Sequence, residues 1–215
     1  MNRALESLKY TNFYNLVFPI IQAIQTFNWY ANGKHSVTPH LIKQLTVKRF
    51  QKKYKIQTLV ETGTYLGTMI NASKNIFKNI YTIELDKLLY IRAKKKFAKF
   101  KHIHVLFGDS TIVLSRLLRQ IHEPCLFWLD AHFSEGITTK GNLTTPIAKE
   151  IRSILNHRVR THIILIDDAS LFIGKNNYPT IKKLKTYTLK KYPQVSFKIE
   201  NDIIQIISIL NPTTI

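Results

Sequence analysis

Five short apolar runs recur along the chain, and each ends in a carboxylate or meets one within two residues. They are Thr58 to Glu61, Ile80 to Glu84, His104 to Phe107 before Gly108-Asp109, Leu126 to Asp130, and His162 to Asp167-Asp168. Each has the length of a strand, not of a core helix. Their apolar character is continuous instead of alternating, which marks strands covered on both faces, as in a parallel sheet wrapped by helices. A chain built this way is α/β.

The segments between the runs read as helices. Thr38-Pro39 and Thr145-Pro146 mark two helix starts, because threonine caps an orphan amide and proline pre-sets the first helical angle. Leu41 and Leu45 keep helical spacing to about Lys53, and Ile147, Ile151, Ile154 and Leu155 do so after the second start. Residues 15 to 24 are apolar but interrupted by Pro19 and Gln22 and followed by no small-x-small cleavage site, so they read as a helix beginning at Pro19, not as a signal peptide. No apolar run approaches the ~20 residues of a membrane span. At the other end, Val195 to Ile199 and Ile203 to Leu210 are β-rich and separated by Glu200-Asn201-Asp202, the pattern of an antiparallel hairpin. The expectation is a doubly wound, mostly parallel, seven-stranded sheet with a terminal antiparallel hairpin. Residues 1–56 read as a helical N-terminal extension of the same domain, and 57–215 as its body.

Charge and cysteine usage bound the setting. The 215 residues carry 32 Lys and Arg against 13 Asp and Glu, a net +19, so polyanions are attracted whatever the physiological partner. With 45% hydrophobic residues the chain is neither disordered nor fibrous. One cysteine, Cys125, lies inside an apolar run; it can close no internal disulfide, and it suits a reducing, cytoplasmic setting as a buried, inert thiol.

The stretch Val60-Glu61-Thr62-Gly63-Thr64-Tyr65-Leu66-Gly67-Thr68 places an acid at a strand end and a glycine turn at a helix start. In a doubly wound sheet that is the ligand crevice, where glycines permit close backbone approach. By itself the turn also fits an ordinary strand-to-helix connection. The later acids, Glu84, Asp109, Asp130, Asp167 and Asp168, gather a large share of a small carboxylate complement on one rim.

On these residues the sequence resembles the class I S-adenosylmethionine-dependent methyltransferases, most closely the catechol O-methyltransferase-like and macrocin O-methyltransferase-like enzymes, over about residues 58 to 172. The resemblance implies that Glu61, Gly63, Tyr65 and Gly67 wrap the methionine part of S-adenosyl-L-methionine. It implies that Glu84 takes the ribose hydroxyls, which a carboxylate can accept together, and that Asp109 and Ser110 border the adenine. Asp130, Asp167 and Asp168 match three positions that hold a divalent cation, with Asp130 also beside the cofactor and in the catalytic set. In the family's strand order the fourth and fifth strands are neighbours ~4.8 Å apart, so their terminal carboxylates can share one ion, and all-oxygen ligation points to Mg2+. The alternative for Asp167-Asp168 is a cap on the next segment. Where catechol-type relatives place a lysine base this chain has Phe133, and His132 is the nearest substitute, with a pKa of ~6.5 suited to proton removal. The polar, glycine-punctuated residues 133–145 read as an acceptor lid.

The implied activity is metal-assisted O-methylation of a small-molecule or sugar hydroxyl. Basic clusters at Lys48 to Lys55, Arg92 to Lys101 and Lys182 to Lys191 keep two alternatives open: an RNA-modifying methyltransferase, and a cofactor-binding protein without turnover. In the middle cluster Leu89, Ala93, Phe97 and Phe100 form an inward stripe that leaves Arg92, Lys95, Lys96 and Lys99 outside. Nucleic-acid binding through such faces is expected to be nonspecific and salt-sensitive. Against the RNA reading, Asp167-Asp168 stand where a Lys-Asp-Lys-Glu ribose-methylating set would place its second lysine.

Overall fold

In the computed structural model, residues 12–34, 37–130 and 145–209 are described. The chain divides into two compact units, 1–46 and 47–215. The smaller contains helix α1 (Asn12–Ala31) and the first part of α2 (His40–Tyr54). Helix α1 does not begin at Pro19 but runs through it. A proline removes only one i→i−4 bond, which a helix of 20 residues can absorb as a local kink.

The larger unit is a seven-stranded sheet. Its strands are β1 (Thr58–Thr62), β2 (Asn79–Glu84), β3 (Ile103–Phe107), β4 (Cys125–Leu129), β5 (Ile163–Ile166), β6 (Val195–Glu200) and β7 (Ile203–Ser208). Each apolar run read from the sequence is a strand, with ends that differ by one or two residues. Helices α3 (Thr68–Ser73), α4 (Lys87–Phe97), α5 (Ser110–Leu118), α6 (Ile147–Leu155) and α7 (Ile181–Lys191) supply the crossovers. The order is β3-β2-β1-β4-β5-β7-β6, parallel except for β7, which runs antiparallel to both β5 and β6. This is the doubly wound fold with its terminal hairpin.

Burial follows position in the sheet. Every residue of β1, β4, β5 and β7 is buried, whereas the edge strands β3 and β6 keep exposed positions. Along β4, Phe127 and Leu129 pack on the face covered by α5, α6 and α7, while Leu126 and Trp128 pack on the face covered by α3, α4 and the end of α2. That two-sided cover is why the strands read as continuous apolar runs.

Side chains set the helix starts. Asp86 caps α4 by accepting the amides of Leu88 at 2.8 Å and Leu89 at 2.9 Å, and Lys94, Lys95 and Lys96 occupy the last turn, where the helix dipole favours cations. The Thr145 hydroxyl accepts the Ile147 amide at 3.3 Å, so the second Thr-Pro pair caps α6 as its sequence indicates. The hairpin turn narrows to Asn201 and Asp202, with φ of 53° and 57°, because Glu200 pairs with Ile203 inside the ladder. Two left-handed residues form the mirror-image turn that matches strand twist. Among the described residues no helix is long and apolar enough to cross a membrane.

Beneath β4 and β5 lies a closed polar pair. His162 Nδ1 accepts the Cys125 amide at 3.0 Å, and its other ring nitrogen lies 2.8 Å from His157 Nδ1. Burial, then the neighbouring His157, holds the His162 pKa down to about 3, and burial likewise pushes the Cys125 thiol up. A depressed imidazole contributes stability that is present in full above its unfolded pKa of ~6.5 and lost as pH falls toward the folded value. Denaturant titrations should therefore show a falling unfolding free energy between pH 6.5 and 4. A His162→Gln protein, which cannot take the proton, should be weaker at pH 7.5 but show a shallower decline.

Candidate active site

The backbone ladder does not stop at the strand ends. Asp130 donates its amide to Thr62 O at 3.1 Å, Asp167 to Leu129 O at 3.0 Å, Gly63 to Ile83 O at 3.0 Å and Gly108 to Glu84 O at 2.9 Å. The residues that follow each strand are thus held in sheet register. They converge where β1 and β4 lie side by side and their crossovers leave in opposite directions, the switch point at which open α/β sheets bind ligands.

The turn after β1 is built from left-handed backbone: Gly63 at φ 86°, Tyr65 at 47° and Gly67 at 67°. Gly67 has a packing reason that its sequence context does not reveal. A Cβ there would lie 2.7 Å from the Phe97 ring of α4. The Tyr65 amide donates to Glu84 Oε2 at 2.8 Å, and the Asp86 amide to Oε1 at 2.9 Å. A carboxylate offers about four acceptor sites, so Glu84 keeps capacity for two further donors. Burial raises its pKa and the two amides pull it back.

Glu61, 2% exposed, braces the turn from beneath: Thr64 and Thr82 hydroxyls lie 2.5 Å apart, and Thr82 donates to Glu61 at 2.6 Å. Burial drives its pKa well above the usual carboxylate range, offset by Thr82 and reinforced by Asp130 and Glu84. Asp109 caps α5 through the Thr111 amide at 2.8 Å and hydroxyl at 2.7 Å, which sets Ser110 at the first helical position beside the crevice.

Asp130, Asp167 and Asp168 come together, each offering an oxygen within 4.8 Å of the others. Bonds of ~2.1 Å to one octahedral ion put neighbouring oxygens ~3.0 Å apart and opposite ones ~4.2 Å apart, so the three side chains would close inward to share one ion. Hard oxygen donors of this kind fit Mg2+. Asp168 adopts φ 53°, ψ 55°, and its amide bonds the Asp167 carboxylate at 3.0 Å. The next residues are tied down from the hairpin: Asp202 accepts the Ser170 amide at 2.7 Å, the Ser170 hydroxyl at 2.9 Å and, through its carbonyl, the Ala169 amide at 2.8 Å.

His132, Phe133 and residues 134–144 of the expected lid lie outside the described residues. Two groups that the sequence reading missed belong to this region. Burial raises the Tyr178 phenol to about 12; the Thr145 hydroxyl pulls it back, and the charges of Asp168, Asp130 and Asp167 add to the rise. Glu150 of α6 is fully buried, with no hydrogen bond to either carboxylate oxygen among the described residues. Burial lifts its pKa to about 7 against the nearby Ser110 and Thr62 hydroxyls, and Asp109 and Asp130 add to the rise. Its signal was in the pattern: three residues after Ile147 and four before Ile154, Glu150 falls on the apolar stripe of its helix.

No protein-family model and no curated protein sequence matches the chain. Solved structures do. A Staphylococcus aureus protein provisionally named a caffeoyl-CoA O-methyltransferase is similar at TM-score 0.59 and 13% identity, covering 96% of this chain and 98% of that one. An O-methyltransferase from Bacillus cereus in complex with SAH gives 0.58 and 13%, covering 93% and 99%. The O-methyltransferase TomG from Streptomyces achromogenes, in complex with SAM, gives 0.58 and 11%, covering 87% and 89%. The chain has the Rossmann-like fold of class I methyltransferases.

Glu150 yields a pH test of the region. An acid whose folded pKa is raised contributes stability that is complete below its unfolded pKa, ~4.5, and lost as pH climbs through about 7. The loss amounts to at most ~3 kcal/mol by pH 8.5. Unfolding free energies at pH 5 and pH 8.5 should differ by less in Glu150→Gln than in the parent protein, with the variant the more stable at the higher pH.

Proposed function

We propose that this chain transfers a methyl group from S-adenosyl-L-methionine to a hydroxyl of a small molecule or sugar, with a divalent cation, Mg2+ by donor chemistry, held at Asp130, Asp167 and Asp168. The observation that carries the reading is the convergence, at the β1/β4 switch point, of a buried Glu84 with acceptor capacity left over and a three-carboxylate cluster. The similar structures that contain SAM or SAH support the cofactor, and the two named O-methyltransferases support oxygen as the atom methylated.

The cofactor supplies an electrophilic methyl group, and the cation supplies Lewis acidity that makes a hydroxyl oxygen easier to deprotonate. The protein contributes placement. Glu84 accepts both ribose hydroxyls, its carboxylate already aimed by the Tyr65 and Asp86 amides. The Gly63 to Gly67 turn follows the methionine part, and Asp109 and Ser110 border the adenine. Asp130 stands between the two halves of the site, on the ladder bond to Thr62, so that acceptor and cofactor are fixed relative to one rigid sheet. His132, two residues beyond Asp130, receives the acceptor's proton.

The two halves separate experimentally. Glu84→Gln should weaken binding of the cofactor and of its demethylated product by roughly 10- to 100-fold, about 1.5–3 kcal/mol for a lost charge-assisted contact. Asp130→Asn and Asp168→Asn should leave that affinity within a few-fold while lowering turnover by orders of magnitude and abolishing Mn2+ binding seen by titration. Metal-independent turnover with intact cofactor binding would remove the cation from the reading and leave the cofactor in it.

A further inference from the structure

A second concave surface lies outside the candidate active site. It is a groove of about 480 Å³ between the last turns of α2 and the outer hairpin, lined by Arg49, Lys53 and Tyr54 on one wall and Ser196, Lys198 and Glu200 on the other. The groove is open to solvent along its length, which suits an extended ligand better than an enclosed small molecule. Three cations face one carboxylate. That carboxylate is already engaged, Glu200 taking Arg49 at 2.9 and 3.3 Å and Gln205 at 3.2 Å. Lys53 and Lys198 are exposed and make no ion pair with the described residues. The groove therefore carries a surplus of positive charge in a concavity, where field lines concentrate.

Aromatic surface is interleaved with the charge. Phe50 and Tyr54 stack 5.9 Å apart at 10°, with Arg49 over the first ring and Lys53 over the second. Phe50 is buried and stiffens the wall, while Tyr54 is half-buried and lines the groove. The other basic clusters differ in shape. Those on α4 and α7 lie along helix surfaces, cations outward and apolar residues inward.

We propose that this groove docks single-stranded nucleic acid, its phosphates on Lys53 and Lys198 and a base against Tyr54. Charge complementarity and interleaved aromatics are what such strands recognise without sequence preference. The proposal stands independently of methyl transfer.

The test is fluorescence anisotropy of a labelled oligouridylate of about 20 nucleotides with the full chain, titrated across roughly 50 to 200 mM salt. Lys53→Gln/Lys198→Gln should lose at least tenfold in affinity at the lower salt and reduce the salt slope by ~1.4, two phosphate contacts at ~0.7 each. The equal-charge control Lys94→Gln/Lys95→Gln should move affinity less than threefold. Equal losses in both variants would overturn the proposal, because the strand would then be responding to net charge alone. Loss of binding to phosphatidylserine vesicles in the groove variant, with oligouridylate binding retained, would also overturn it in favour of a membrane surface. Circular dichroism of both variants verifies that these exposed changes leave the fold intact.

Discussion

The pairing of β1 with β4 is the constraint on which the rest depends. These strands meet in register, Thr58 to Thr62 against Cys125 to Leu129, although more than sixty residues of chain separate them. Because β2 and β3 lie to one side and β5 and β7 to the other, the crossovers must diverge at this seam and leave its upper edge uncovered. Ladder bonds that run one residue past the strand ends then convert strand register into side-chain placement. The position of Asp130 is set by Thr62 O, and that of Asp167 by Leu129 O, before either side chain does anything.

Holding carboxylates on that edge is costly in a chain with so few of them. Burial raises the pKa of Glu61, Glu84 and Glu150, and in each case it is the largest cause. Desolvated acids destabilise a fold unless donors or cations compensate. Glu84 has two amides and Glu61 has Thr82, whereas Glu150 has only nearby hydroxyls. The gradient of compensation matches the proposed work, with the best-satisfied acid placed to meet a ligand. A strongly basic exterior around an acidic rim separates two proposed tasks, attraction of anions outside and placement of a cation inside.

Much of this was legible in sequence for a definite reason. Strands covered on both faces announce themselves as unbroken apolar runs, so Leu126 to Leu129 and Ile163 to Ile166 needed no tertiary information. The acids closing those runs were visible for the same reason. What was not legible depends on partners far away in the chain. Gly67 looks like a ligand-approach glycine until Phe97 is seen against it. Asp202 reads as a turn former and is also the anchor of Ser170. Pro19 reads as a helix start because local rules treat proline as punctuation, and a long helix overrides them. Glu150 sat on the apolar stripe of α6, but a charged residue there is discounted when only hydrophobic spacing is counted.

The reversal of β7 explains how a hairpin at the end of the chain comes to touch the site. In a parallel strand the residue entering the sheet lies at the opposite edge from the strand ends that carry the acids. Because β7 is antiparallel to β5, Ile204 pairs with Ile166, and the turn before it rises on the acidic rim. Only from there can Asp202 accept the amides of Ala169 and Ser170 and fix the segment that begins with the left-handed Asp168. A βαβ crossover in place of the hairpin would leave that segment with no partner on the β5 flank. The antiparallel edge is thus tied to the cluster at the rim.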